Sequence, residues 1–197
     1  MNVNEAIFAR RAVRAYTPRK VDEVTIRSLL RAAIQAPSAM NRQAWTFSIL
    51  QDTAQLKRYS DRAKTLLLEQ MLGDAKTGHY ADRLRNPEFN IFYDASTLVV
   101  IGAAERGPYT EADCWLAAAN LILSATAAGL SSCCIGFAIP ILNTLEVKTE
   151  IGLPATGVAI APILLGYSTA APPLVPRNDP KIIYWSHTHA TNQGEKS

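Results

Sequence analysis

The sequence predicts an α+β or α/β fold in which helices flank a sheet of four or five strands. Three observations predict it. Helical hydrophobic patterns come first along the chain. Short apolar runs of strand character then alternate with further helical patterns. A composition of 48% hydrophobic and 19% charged residues over 197 positions describes a globular chain long enough to bury a substantial core.

Residues 4–11 read as a short helix with Ala6, Ile7 and Phe8 on its apolar side. Asp22 suits the N-cap of a second helix, in which Val24, Ile26, Leu29, Leu30, Ala33 and Ile34 are spaced for one buried stripe. Pro37 ends that stretch, because it pushes the residues before it toward extended geometry and has no backbone N–H. Residues 45–50 alternate large apolar with smaller or polar side chains, as a half-buried strand does. Helical spacing returns over 53–72, with Leu56, Tyr59, Ala63, Leu66 and Leu67 facing inward. Residues 73–87 are mixed and charged, and read as a mobile excursion or an irregular helix.

Residues 94–102 have the composition of a fully buried strand. Residues 110–128 read as a long helix, apolar on nearly all sides and so expected to be buried all round, with Gly129 at its C-cap. Residues 133–137 are short and apolar. A helix is expected over 140–151, with Pro140 in its first turn. Residues 157–166 read as another central strand. The tail from about residue 167 is Pro-rich and extended, and is expected to lie across something else. No internal repeat or domain boundary interrupts the pattern, so residues 1–197 read as a single domain.

A net charge of +3 is too small to make nucleic acid the main partner. Its distribution tells more. Residues 1–42 carry Arg10, Arg11, Arg14, Arg19, Lys20, Arg27, Arg31 and Arg42 against Glu5, Asp22 and Glu23. That excess suits a small anionic ligand, although solvated helix faces account for much of it. Residues 115–145 and 151–176 are each free of charge and longer than the roughly 20 residues that cross a bilayer. Polar residues and prolines interrupt both runs, which argues against a membrane span. Cys114, Cys133 and Cys134 form an odd set without metal-type spacing, and no secretory signal precedes them, so a reducing, cytoplasmic setting is expected. His79, His187 and His189 are scattered, and neither a metal site nor a Ser-His-Asp arrangement is expected. No G-x-G-x-x-G follows a strand, which argues against a Rossmann nucleotide fold.

The most informative stretch is residues 36–45. Pro37, Ser38, Asn41 and Gln43 crowd a short connection between a helix and a strand, and binding groups concentrate on such anchored loops. By turn chemistry alone it is equally a polar turn with a Ser N-cap. Arg10-Arg11-Ala12-Val13-Arg14 sets three guanidiniums close together, where they repel unless solvent or an anion separates them. Arginine offers phosphate a planar, forked and permanent charge. A solvated basic helix end explains the motif equally well. Arg177 stands out as the one cation between Lys148 and Lys181.

Taken in order, these motifs resemble the nitroreductase family of flavoproteins: Arg10-Arg11-x-x-Arg14, then Pro37-Ser38-x-x-Asn41-x-Gln43-x-Trp45, then Gly129-Leu130-x-Ser132-Cys133-x-Ile135-Gly136, then Gly166-Tyr167 with a downstream Arg177. The resemblance spans residues 4–185. It implies a three-layer α+β fold with a central, mostly antiparallel sheet of four to five strands. It implies a homodimer with FMN in two equivalent interface clefts, and a C-terminal extension crossing to the partner.

The resemblance also implies roles. Arg10 and Arg11 would contact the phosphate and ribityl chain, and Arg14 would lie near the pyrimidine ring. Pro37, Ser38, Met40, Asn41 and Gln43 would reach the flavin of the other subunit. Cys134, Ile135 and Gly136 match the segment along the isoalloxazine, where a backbone N–H can meet N5. Arg177 matches the C-terminal cation on the phosphate. The chain departs from the family's usual residues at Ala12, where a Ser or Thr hydroxyl is usual, and at Ala44, where Pro is usual.

The implied activity is hydride transfer from NADH or NADPH through flavin N5 to a small acceptor such as a nitroaromatic or quinone, in ping-pong order. Alternatives on the same scaffold are dehalogenation, azoline oxidation, flavin-ring cleavage, or FMN storage without turnover. Cys133 and Cys134 are expected to be small buried packing residues, and the family commonly uses residues 73–90 for the substrate side of the cleft.

Overall fold

Two hydrophobic cores lie on opposite faces of one sheet. The structure, a computed structural model, describes residues 1–71, 78–170, 173 and 175–186, and only the backbone of residues 78 and 79. Strands β1 (Trp45–Leu50), β2 (Thr97–Ala103), β3 (Ser131–Cys134) and β4 (Val158–Gly166) pair in the order β1-β2-β4-β3. Every neighbouring pair is antiparallel. The helices are α1 (Val3–Ala9), α2 (Glu23–Ala33), α3 (Thr53–Gln70), α4 (Gly78–Arg85), α5 (Thr110–Ala127), α6 (Ile139–Leu142) and α7 (Leu145–Glu150).

The period of two along β2 divides the cores. Leu98 and Val100 join Leu56, Tyr59, Ala63 and Leu67 of α3. Val99 and Ile101 join Ile26, Leu29 and Ala33 of α2 and Cys114, Ala117 and Leu121 of α5. Helix, sheet and helix thus form the three layers that the motifs implied. The excursion expected over 73–87 is helical in α4, and residues 72–77 lie outside the described residues.

The local signals hold where they rest on short-range chemistry. Asp22 caps α2 by accepting the Thr25 N–H at 2.8 Å. Gly129 follows α5 at φ +76, and Leu130 N–H closes the end on Ala125 O at 2.8 Å.

Three expectations need correction. Helix α5 is not buried all round: Trp115 is 37% and Leu116 44% exposed. Its residues are apolar on every side, but α2 and the sheet cover only part of its circumference. In α2, Val24 and Ile34 are exposed, because Ile26, Leu29 and Ala33 define the arc that faces the core. The helix expected over 140–151 is two helices. Asn143 leaves the helical path, with its side chain accepting from Ala159 N–H (3.0 Å) and donating to Ala159 O (2.9 Å). Thr144 then caps α7.

The β2–β4 register slips between Ile101 and Gly102, so Ile101 faces Ala161 and Gly102 faces Ala159. This bulge falls close to Pro162, which cannot donate to the ladder. A Cβ at Gly102 would collide with the Val158 carbonyl oxygen, which is backbone and cannot rotate away. Gly102→Ala is therefore expected to lower stability by about 1–3 kcal/mol through overpacking. Urea unfolding measures it, and an unchanged midpoint would show that the two central strands yield.

Candidate functional site

The chain after α1 is stitched to the sheet as an extra extended segment. A capping box of Asn2 and Glu5 opens the helix, and the backbone turns extended at Arg10. Ala12 then bridges Ser132 in parallel, and Val13 N–H donates to Ser132 O at 3.0 Å. Tyr16 bridges Ser168, and Thr17 N–H donates to Tyr167 O at 2.8 Å. Val13 and Tyr16 are buried in the core on the α3 side. Tyr16 lies so close over Gly166 that a Cβ there would sit 2.8 Å from its ring. With these two anchors pointing inward, Arg14 remains at the surface and Arg10 and Arg11 are half-buried.

Two neighbouring cavities follow this seam. Arg10, Arg11, Ser131 and Ser132 line one of about 80 Å³. Arg14, Cys134, Ile135 and Gly136 help to line the other, of about 390 Å³. Six of the sequence-predicted site residues are thus brought together along one edge. Arg11 Nη1 donates to Phe8 O (2.6 Å) and Arg10 O (2.7 Å), closing the end of α1. Its Nε is buried without a partner, as are Tyr16 Oη and Thr17 Oγ1. Ala12 supplies no hydroxyl, but Ser131 and Ser132 line the same small cavity.

Burial raises the Cys133 thiol above its ordinary pKa, and Arg14 pulls it back. Burial likewise pushes the Tyr16 phenol far up, with Cys133 adding and Arg14 opposing. Cys134 corrects the expectation of a buried packing residue. Strand alternation turns it outward, so it is exposed while Cys133 is buried. Its thiol is still raised, first by desolvation against the cavity wall, and lowered in part by Arg10.

The loop is built differently. Ser38 opens a turn at Ala39–Asn41, and its Oγ accepts the Gln43 N–H at 3.0 Å. Gln43 Nε2 donates to Asn41 Oδ1 at 2.9 Å. Ala39 N–H donates to Asp113 Oδ1 of α5 at 3.1 Å. Met40, Asn41 and Gln43 all have φ near +50° (53°, 53° and 48°), a strained region for side-chain-bearing residues. Met40 is 92% exposed. Pro37, Ser38, Met40, Asn41 and Gln43 line neither cavity of their own chain. Arg177 sits in the exposed tail and lines neither cavity.

No His, Asp or Glu lines either cavity among the described residues. The site therefore offers charge, the orphan Arg11 Nε and an open wall, with no carboxylate or imidazole base among the described residues. Space above Gly136 is open, since a Cβ there would meet nothing within 4 Å. Those features fit a planar, anionic cofactor that brings its own reactivity.

The family model described as the Nitroreductase family matches residues 7–167. The chain belongs to the nitroreductase family. A crystal structure of a nitroreductase with bound FMN from Bacteroides fragilis superposes with a TM-score of 0.76 at 27% identity, covering 95% of this chain and 99% of that one. An iodotyrosine deiodinase of Thermotoga neapolitana is 27% identical over 187 residues, covering 89% of this chain and 93% of its own length. An NADH dehydrogenase of Thermus thermophilus is 25% identical over 186 residues, covering 85% and 87%.

In this nitroreductase-family chain, the resemblance pointed to residues 73–90 for the substrate side but named none of the far-wall residues of the larger cavity, which are Tyr80, Arg83, Ile91, Tyr93 and Phe137. Tyr80 and Arg83 are three apart on α4, a spacing that puts them on one helical face and was readable. Asp113 was not readable, because its partner Ala39 lies 74 residues away.

Thiol chemistry tests the placement of the seam. In protein stripped of any bound cofactor, an alkylating reagent near neutral pH should modify Cys134 first. It should do so slowly for an exposed thiol, because a raised pKa leaves less thiolate, and the rate should climb with pH. Cys114, buried and pushed up to about 11, should react only on unfolding. Peptide mass spectrometry reads the order, and early labelling of Cys114 would contradict it.

Proposed function

We propose that this chain is an FMN-dependent oxidoreductase that moves a hydride from NADH or NADPH to a small acceptor such as a nitroaromatic or quinone, in ping-pong order. The observation that carries the reading is the line of cations along the seam. Four residue steps of extended chain lead from Arg10 to Arg14, roughly 13 Å at strand rise. Phosphate charge can therefore be met at one end and ring charge at the other. FMN, when bound, supplies hydride acceptance and donation at its N5.

The residues supply position and electrostatics. Arg10 and Arg11 hold the phosphate and ribityl end, with the orphan Arg11 Nε available for one bond. Arg14 stabilises negative charge at the pyrimidine end. Ile135 N–H is committed to Pro162 O at 3.0 Å. Gly136 N–H opens the next turn without an intrahelical partner, so it is the backbone donor left for the ring. Arg177 would reach the phosphate from the tail.

The working unit in this reading is a homodimer. Ile7 and Phe8 on α1 and Trp115 and Leu116 on α5 are exposed, and the two helices pack together. An apolar patch of that kind marks an interface. The strained loop of Pro37, Ser38, Met40, Asn41 and Gln43 would meet the partner's flavin, which accounts for polar groups that serve no cavity in their own chain. Ile182, Ile183 and Tyr184 in the tail are exposed as well, as suits a segment crossing to the partner.

The deiodinase relative, as similar in sequence as the FMN-bound nitroreductase, favours reductive dehalogenation as the second reading. One anaerobic visible spectrum separates the possibilities. The purified protein should be yellow and should bleach on addition of NADH or NADPH. A yellow protein that neither nucleotide reduces would contradict the reductase and leave dehalogenation. A protein that takes up no FMN would remove both.

A further inference from the structure

The far wall of the larger cavity carries a cation that the proposed chemistry does not use. The Arg83 guanidinium carbon lies 4.4 Å from the Phe89 ring centroid and 5.5 Å from that of Tyr93. Those two rings meet edge to face at 5.8 Å. Two π faces thus hold the guanidinium, which lowers the entropy lost when it binds a ligand. Its neighbour on the helix, Arg85, pairs with Asp82 at 3.1 Å. Arg83 itself has no ion pair or hydrogen bond among the described residues, so its planar fork is uncommitted.

The surroundings sharpen what it would take. Tyr80 and Phe137 meet edge to face at 5.8 Å on the same cavity wall. Arg14 adds a second guanidinium, and among the described residues no carboxylate lines the space. The result is a ring-lined cavity of about 390 Å³ with uncompensated positive charge. A neutral aromatic would gain only the stacking, and an aliphatic anion only the charge. We propose that Arg83 makes the substrate side of this cavity a receptor for planar aromatic acceptors that carry a carboxylate or similar anionic group. The inference rests on the flavin reading for which molecules turn over, and on the cavity alone for which molecules bind.

A matched pair of probes tests it: 4-nitrobenzoate and 4-nitrobenzamide share a ring and differ in charge. Their affinities are measured by calorimetry on the protein as purified, for the native chain, Arg83→Gln and Arg83→Lys, with kcat/KM determined alongside. The native protein should prefer the carboxylate. Arg83→Gln should lower that preference about tenfold, the lower end for a charge-assisted bond because Arg83 is exposed. Arg83→Lys should restore part of it.

Equal native affinities, or a preference that survives Arg83→Gln, would overturn the proposal. So would an Arg83→Gln variant that raises the KM for the nicotinamide nucleotide and leaves the ratio unchanged, since the fork would then serve a phosphate. A ratio that depends on Arg83 while neither compound is reduced would sink the reductase reading and keep the receptor. Reduction of both, at a ratio indifferent to Arg83, would do the reverse.

Discussion

Backbone pairing between the segment after α1 and strand β3 puts three guanidiniums along one edge of the sheet. The bond from Val13 N–H to Ser132 O and the bridge from Ala12 to Ser132 set the register. In a parallel bridge the two chains advance together, so Arg14 comes level with Cys134. Burial of Val13 and Tyr16 then resists any slip, because moving either anchor from its place would expose apolar surface. Gly166 belongs to the same constraint, as a Cβ there would press on the Tyr16 ring at 2.8 Å and force it to shift.

Three like charges held this way work against the fold unless something answers them. Arg11 is answered in part by carbonyls at the end of α1, where a cation also complements the helix dipole. Arg10 and Arg14 instead offset part of the rise that burial causes in the neighbouring thiols, which is how their field registers at Cys134 and Cys133. The cost is tolerable because Arg14 is solvated and Arg10 is only half-buried. A bound anion would remove it and add charge-assisted bonds. Strain in the Met40–Gln43 loop has the same logic: Asp113 and Ser38 hold a backbone that its residue types disfavour.

Elements governed by near neighbours were legible in the sequence. The Asp22 cap and the Gly129 terminus each depend on residues within a turn, and the β2 run is so uniformly apolar that burial is legible without knowing its partners. What failed depended on partners far along the chain. Helix α5 has no polar stripe to mark its uncovered side, so its sequence cannot distinguish a core from an interface. Asn143 breaks a helix to bond a strand 16 residues on. The arginines and the Cys134–Gly136 segment were legible as motifs, and the structure adds the register that joins them. The aromatic wall with Arg83 was legible only as a region, residues 73–90, because its members come from α4, the turn before β2 and the residues after β3, and only the fold collects them.

The account turns on a flavin held between two copies of the chain. Sedimentation velocity followed at the flavin absorbance tests that most directly. The account predicts that FMN sediments with a dimer, at one FMN for each chain, and is released on dilution as the dimer dissociates. Flavin that sediments with a monomer and stays bound on dilution would contradict it.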